Sequence, residues 1–389
     1  MSLHSYFLLL STFSKEKQLI MKKIFFFSFL FVLLSCGGSD SNGGGETGEG
    51  NPDSFNRKEM LAFWADQIII PAYTDFNSKT NELNNSVQDF TKTPTQSNLT
   101  NTRSAWQAAY VSWQKVALFQ VGKAQQLNMV GNINTIPTDV DKIKSYAESE
   151  SYNLESPNLT AVQGLPALDY LLNGLGTDQE TIDFYTTATD AAKFKNYLKD
   201  ITERLNKLTK MVYDDWKGAY RNEFVNNDGY TITSSVDKLV NFYVVDFYEK
   251  QFRDPKIGTP AGTKTGIAVP EKVEAFYKKD ISKLLYTTSL TAIKNFFQGV
   301  SYSGSKGTSL QQYLEFLKRK DLADVINTKF NALEQMSDKL KDNFHGQIQA
   351  EKAVFLNTYD AIQAILKSFK PDMMSAMSVM NTSTDTDND

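Results

Sequence analysis

Cysteine and histidine are almost absent from this chain of 389 residues. Cys36 is the single cysteine, and the two histidines are His4 and His345. One cysteine excludes an internal disulfide framework and any zinc site built from several thiolates. Two histidines this far apart exclude a His-x-x-x-His helix and a facial triad. An excess of basic residues is also missing. The 41 Lys and Arg face 45 Asp and Glu, a net charge of −4, and nucleic-acid binding rests on a basic face. Strand-like alternation is scarce, and the YTIT at 230 to 233 is the best strand candidate.

The longest apolar run, Ile24 to Leu34, is broken only by Ser28. As a helix it reaches about 16 Å, too short for a hydrocarbon core of roughly 30 Å. With Lys22 and Lys23 before it and Ser35-Cys36 after it, it reads as a secretory signal. Leu33-Leu34-Ser35-Cys36 resembles a lipobox, which implies cleavage before Cys36 and lipid attachment to its thiol. The bland alternative is an ordinary buried thiol, but a Gly-rich polar tract follows Cys36 directly. Residues 1 to 20 do not fit a signal flank, so translation is expected to start at Met21. Residues 1 to 35 hold four lysines and one glutamate, so 37 basic and 44 acidic residues remain, a net of −7. Lipid rather than a polybasic patch must then hold the protein at a membrane. His345 is the one histidine left for chemistry.

Beyond the anchor the pattern is helical. Phe194, Leu198, Ile201, Leu205, Leu208 and Val212 recur at threes and fours on to Trp216, one apolar face of a long helix. Leu99, Trp106 and Trp113 make a second stripe; one from Leu322 to Phe344 and one from Phe355 to Phe369 follow. Ser234 and Ser235 are placed to start a helix before Val236. Pro270 stands where a first helical residue would, and Pro71 should kink or split the first helix. Residues 254 to 269, rich in Gly, Pro and Thr, read as a loop. The expected fold is all-α, with two helical-bundle domains. The divisions are 1–35 signal peptide, 36–54 tether, 55–228 N-terminal bundle, 229–380 C-terminal bundle and 381–389 acidic tail. The boundary falls in VNNDGYTIT, 225 to 233.

Three stretches carry a resemblance. Arg103-Ser-Ala-Trp106 runs through Trp113 to Phe119 and Gly122. Ile136-Pro-Thr-Asp139 precedes Ile143. Gln163-Gly-Leu-Pro-Ala-Leu-Asp169-Tyr-Leu-Leu172 forms the third, and Val273-Glu274-Ala-Phe-Tyr277 follows in the C-terminal half. In order and spacing these resemble the imelysin-like family of iron-regulated lipoproteins and insulin-cleaving peptidases. The resemblance implies a ligand site at Gly164, Pro166, Asp169 and Glu274, and a role in iron or haem uptake, with uptake components as partners. It also exposes a departure. The family's Gly-x-His-x-x-Glu motif reads here as Gly164-x-Pro166-x-x-Asp169. Ile136 replaces a tryptophan, and Ala117 sits near a family glutamate. A histidine and a glutamate three apart share one helix face and suit a metal. Proline offers no such ligand.

The expected function is therefore a non-catalytic, ligand-binding lipoprotein of the cell envelope, on the periplasmic face of the outer membrane or the cell surface. No catalytic residue and no protein metal site are assigned, and iron or haem is the candidate ligand. A metallopeptidase and a surface interaction or glycan-binding lipoprotein are the competing readings. Structural roles compete at each site residue: Asp169 as a cap or ion pair near its helix start, Glu274 as a helix-dipole partner, Trp106 and Trp113 as core, and His345 as a helix-end residue.

Overall fold

The computed structural model describes residues 54 to 382. The signal, Cys36, nearly all of the tether and most of the acidic tail lie outside them. Pro71 shows how the fold uses its prolines. It would leave the Gln67 carbonyl without its i+4 donor. The helix does not split there. A π-helical turn, Trp64–Ile69, joins the α-helical Arg57–Phe63 to Ile70–Lys92, and we call the whole α1. The Gln67 carbonyl accepts instead from the Tyr302 N–H, at 2.8 Å. Pro255 and Pro371 lie inside two further π segments, Phe242–Gly258 and Ser368–Met373. Wide turns of this kind admit a ring that would clash in a regular helix.

The remaining elements are α2 (Gln96–Val116), α3 (Lys123–Gln126), α4 (Met129–Asn134), α5 (Val140–Ser149), α6 (Gly164–Asn173), α7 (Asp178–Thr186), α8 (Ala191–Lys217) and α9 (Tyr220–Asn226). Then α10 runs as Ser235–Asn241, the π segment Phe242–Gly258 and Thr259–Ala261. After it come α11 (Ser282–Gln298), α12 (Leu310–Phe316), α13 (Lys320–Ser337) and α14, which runs Phe344–Lys367, Ser368–Met373 and Met374–Ala376. The protein is all-α. Among the described residues there is no strand, only an isolated bridge between Val300 and Lys306.

The apolar stripes are the buried faces. Phe194, Leu198, Ile201, Leu205, Leu208, Val212 and Trp216 of α8 are all buried; the helix packs chiefly on α1, with Phe194 against Phe184 of α7 and Trp216 against Tyr220 and Phe224 of α9 at its ends. Trp64, Trp106, Trp113 and Trp216 are buried, which gives the tryptophans of α2 the core role. Ser234 caps α10, its hydroxyl accepting from Asp237 N–H. Helix α14 packs on α13 and on the π segment of α10, while α11 packs on α2.

Several expectations change. YTIT at 230 to 233 is bend and turn, because no neighbouring strand pairs with it. The stripe from Leu322 to Phe344 breaks after Ser337 and resumes at Phe344, with Leu340 buried in the connecting turn. His345 accordingly opens α14 rather than closing a helix. The segment 254 to 269 is helical as far as Ala261. Pro270 begins only a 3-10 turn, Pro270–Lys272, and the chain is extended again at Val273.

Candidate functional site

The loop after Pro270 is a short strap, residues 273 to 279, leading into α11. Two of its residues, Ala275 and Lys279, hold positive φ of 57° and 68°. Such conformations cost on the order of 1 kcal/mol or more each and persist only when their surroundings fix them. Asp169 does much of the fixing. Its Oδ2 accepts from the Tyr277 N–H at 2.9 Å, and its Oδ1 from the Lys278 N–H and from Asn173 Nδ2, each at 3.0 Å. Asp169 thus stands in the middle of α6 and ties a second segment to it, instead of capping its own helix. It is 2% exposed. Burial raises its carboxyl from 3.8 to about 7, against the lowering pull of the three hydrogen bonds and the Lys278 charge.

Glu274 sits in the strap, outside any helix, and is also buried. Its Oε1 accepts from Gln114 Nε2 at 3.1 Å and from Asn134 Nδ2 at 2.8 Å. Its Oε2 pairs with the buried ammonium of Lys256, which also donates to Gln114 Oε1 at 2.8 Å. Burial pushes the Lys256 pKa down and the Glu274 charge opposes it. Tyr110 extends the network by donating to Asn134 Oδ1 at 2.7 Å. Its hydroxyl is held well above its ordinary range by burial first, then by the charges of Glu274 and Asp169. α2, α4, α10 and the strap are thereby locked by one satisfied polar cluster. Removing one partner from such a cluster costs far more than a surface pair.

The start of α6 explains the rest of the motif. Gly164 has φ +78°, and a Cβ there would sit 2.4 Å from the Ile133 carbonyl oxygen and 2.6 Å from that of Asn132. Only glycine supplies both the conformation and the space. Pro166 falls in the first turn, where a missing N–H is harmless. Trp106 anchors the same turn, its indole N–H donating to the Leu165 carbonyl at 3.0 Å. Asp139 caps α5 by accepting from the Lys142 N–H at 3.1 Å, while its own N–H and the Thr138 hydroxyl both donate to the Ala161 carbonyl at 2.8 Å, which ties the Ile136–Thr138 loop to the turn ahead of α6.

Between that loop, α6 and the strap lies a cavity of about 210 Å³, lined by Ile136, Pro137, Pro166, Asp169, Phe276 and Tyr277 among others. Glu274 does not line it. His345 is far away in sequence, yet its ring meets Phe276 edge-on at 5.2 Å. The residues do not fit a catalytic zinc ion. Pro166 has no donor atom for a metal, and both acids already serve protein donors. Among the described residues no three His, Cys, Asp or Glu side chains gather closely enough to hold a metal. Reading the sequence did not find Lys256, Gln114 and Asn134. The one available hint was polar Gln114 beside Trp113 on the apolar stripe of α2.

A family model described as Imelysin, of a peptidase class by its designation, matches residues 69–370. Iron-regulated protein A of Synechococcus elongatus is 23% identical over 272 residues, 68% of this chain and 71% of that protein. The crystal structure of a candidate iron-regulated protein A precursor from Parabacteroides distasonis superposes with a TM-score of 0.68 at 16% identity, covering 83% of this chain and 94% of that one. An imelysin-like protein from Psychrobacter arcticum gives 0.65 at 17% identity, covering 84% and 96%. At such identities the structural likeness shows the fold.

Proposed function

The chain belongs to the imelysin family, and from that membership we propose that it is a non-catalytic ligand-binding lipoprotein of the bacterial cell envelope that serves iron or haem uptake. The link to iron is supported by the relatives named iron-regulated protein A. The choice of binding over hydrolysis rests on one observation. Both carboxylate oxygens of Asp169 and both of Glu274 accept hydrogen bonds or an ion pair from protein donors. A zinc hydrolase needs about three free protein ligands and a water. A binding protein needs only a shaped, mostly apolar pocket with a few polar groups.

The cavity of about 210 Å³ is smaller than the roughly 300 Å³ at which small-molecule pockets usually begin. It suits a small group or one edge of a larger flat ligand, with Phe276 and Tyr277 as the aromatic wall. Attachment rests on Cys36, which lies outside the described residues. Among those residues no helix is long and apolar enough to cross a membrane. The test is a titration of the protein lacking residues 1 to 36 with ferric citrate and, separately, with haemin, followed by intrinsic fluorescence. Saturable binding of either ligand, weakened about tenfold by Phe276→Ala (roughly 1.4 kcal/mol of lost contact), supports the reading. Binding of neither ligand, or binding that Phe276→Ala leaves unchanged, contradicts it.

A further inference from the structure

A second cavity, larger than the first and sharing no lining residue with it, opens between α1, α2, α11 and the loop that follows α11. Its volume is about 390 Å³, within the usual range for small-molecule pockets. Its floor is apolar: Ile68 and Ala72 of α1, Phe119 just beyond α2, and Phe296 of α11 are all buried. Its upper wall is polar. Thr288, Thr291 and Asn295 of α11 line it, and at spacings of three and four they share one helix face. None of these three side chains hydrogen-bonds another described residue, whereas Thr287 beside them donates to the Lys283 carbonyl at 2.9 Å.

The remaining lining residue of consequence is Lys115, at the last turn of α2. Its ammonium donates to the Tyr302 hydroxyl at 3.2 Å and lies 5.0 Å from that ring's centre. Among the described residues it forms no ion pair. Beyond Tyr302 stands Asp75, which accepts from Ser112 Oγ at 2.6 Å and, after burial, raises the Tyr302 hydroxyl through its charge and a hydrogen bond, so the tyrosine separates the Lys115 ammonium from that carboxylate. A half-buried ammonium without a carboxylate, above an apolar floor and beside free amide and hydroxyl groups, is complementary to an anion with an apolar body.

We propose that this cavity binds a small amphipathic organic anion, a carboxylate or sulfonate on an aromatic body. The acidic head would meet the Lys115 ammonium. The ring would lie on Phe119 and Phe296, and its polar substituents would meet Thr288 and Asn295. The site is separate from the Asp169 pocket and does not depend on the function proposed for it.

The probe is 1-anilinonaphthalene-8-sulfonate, whose fluorescence rises in apolar surroundings, with 1-naphthaleneacetate as a non-fluorescent competitor. Wild type is expected to bind one equivalent of the dye and to release it to the competitor. Lys115→Met keeps the apolar stem, removes the charge, and should weaken dye binding about tenfold, the worth of roughly one charge-assisted contact. Lys115→Glu should weaken it further. Ala292→Phe fills the cavity and should abolish binding with the helical circular dichroism spectrum intact. Phe276→Ala should leave the dye affinity unchanged. Absence of competitor-sensitive dye binding to wild type overturns the proposal. So does equal affinity in Lys115→Met and Lys115→Glu, a result that stands even if Ala292→Phe fails to fold.

Discussion

Asp169 makes the strongest test of how this fold manages a buried charge. Its carboxyl titrates at 3.8 in its ordinary state and at about 7 in the folded protein, chiefly because it is buried. The folded state therefore holds the proton more tightly than the unfolded chain. For an acid raised in this way, stability is greatest below the unfolded value and falls as pH rises through the folded one. The gap is roughly 3 pH units, and at about 1.4 kcal/mol each it corresponds to a loss of about 4 kcal/mol between pH 4 and pH 8. Carboxylates with the opposite shift do not mask it. Glu82, Asp139, Asp178, Glu180, Asp321 and Glu351 are all lowered by hydrogen bonds. Their contributions are present above the ordinary carboxylate range and are lost only below it. Urea unfolding followed by circular dichroism, at half-unit steps from pH 5 to pH 8, stays above the range of the lowered carboxylates and reads roughly 3 kcal/mol of that loss. Asp169→Asn removes the titration. It also turns an amide NH₂ toward a backbone N–H of the strap, at a pH-independent cost of about 1–3 kcal/mol. Wild type should lose stability toward pH 8 while Asp169→Asn stays flat, so that the two profiles converge or cross. Parallel profiles would refute the reasoning, because the strap's N–H groups would then compensate the charge fully.

Three further outcomes follow from the same geometry. Gly164→Val should destabilise the protein by several kcal/mol in the same urea assay, since it combines a positive φ with overlap onto two carbonyl oxygens; an unchanged midpoint would mean that the turn relaxes freely. Lys256→Met should cost about 3–5 kcal/mol by leaving Glu274 charged and unpaired, and Lys256→Met with Glu274→Gln should recover part of it; additive losses in the pair would show that the two do not interact. Cys36→Ser should release the protein from the membrane fraction or leave its precursor uncleaved, as seen by fractionation and blotting, and normal maturation with membrane partitioning would remove the lipid anchor from the account.

Much of the fold was legible because burial leaves a period. The α8 stripe from Phe194 to Trp216 and the tryptophan stripe of α2 announce helices without any partner being known. Gly164 was marked only through the resemblance; the φ of +78° and the two close carbonyl oxygens that require a glycine there came from the folded arrangement. The errors share a cause. The connecting turn at Leu340 still buries an apolar residue, so the stripe from Leu322 to Phe344 runs on across a real break. Pro270 has the chemistry of a helix start, but the chain beyond it is held by Asp169 and Glu274, and tertiary contacts override local preference. Lys256, Gln114 and Asn134 could not have been assembled from the sequence, because a buried pair between residues 142 apart has neither period nor spacing. For the same reason Asp169 and Glu274 stood out only through resemblance, and the donors that satisfy them came only from the folded arrangement.

The central claim is that this imelysin-family protein binds without cleaving. Its most direct test is a combined metal and peptide measurement on purified, extensively dialysed protein. Elemental analysis should find less than about a tenth of an equivalent of zinc, since no nitrogen or sulfur ligand set is present at the motif. Oxidised insulin B chain, incubated with the protein with and without added zinc and followed by mass spectrometry, should remain intact. Stoichiometric zinc together with chelator-sensitive cleavage would contradict the account and establish the peptidase reading in its place.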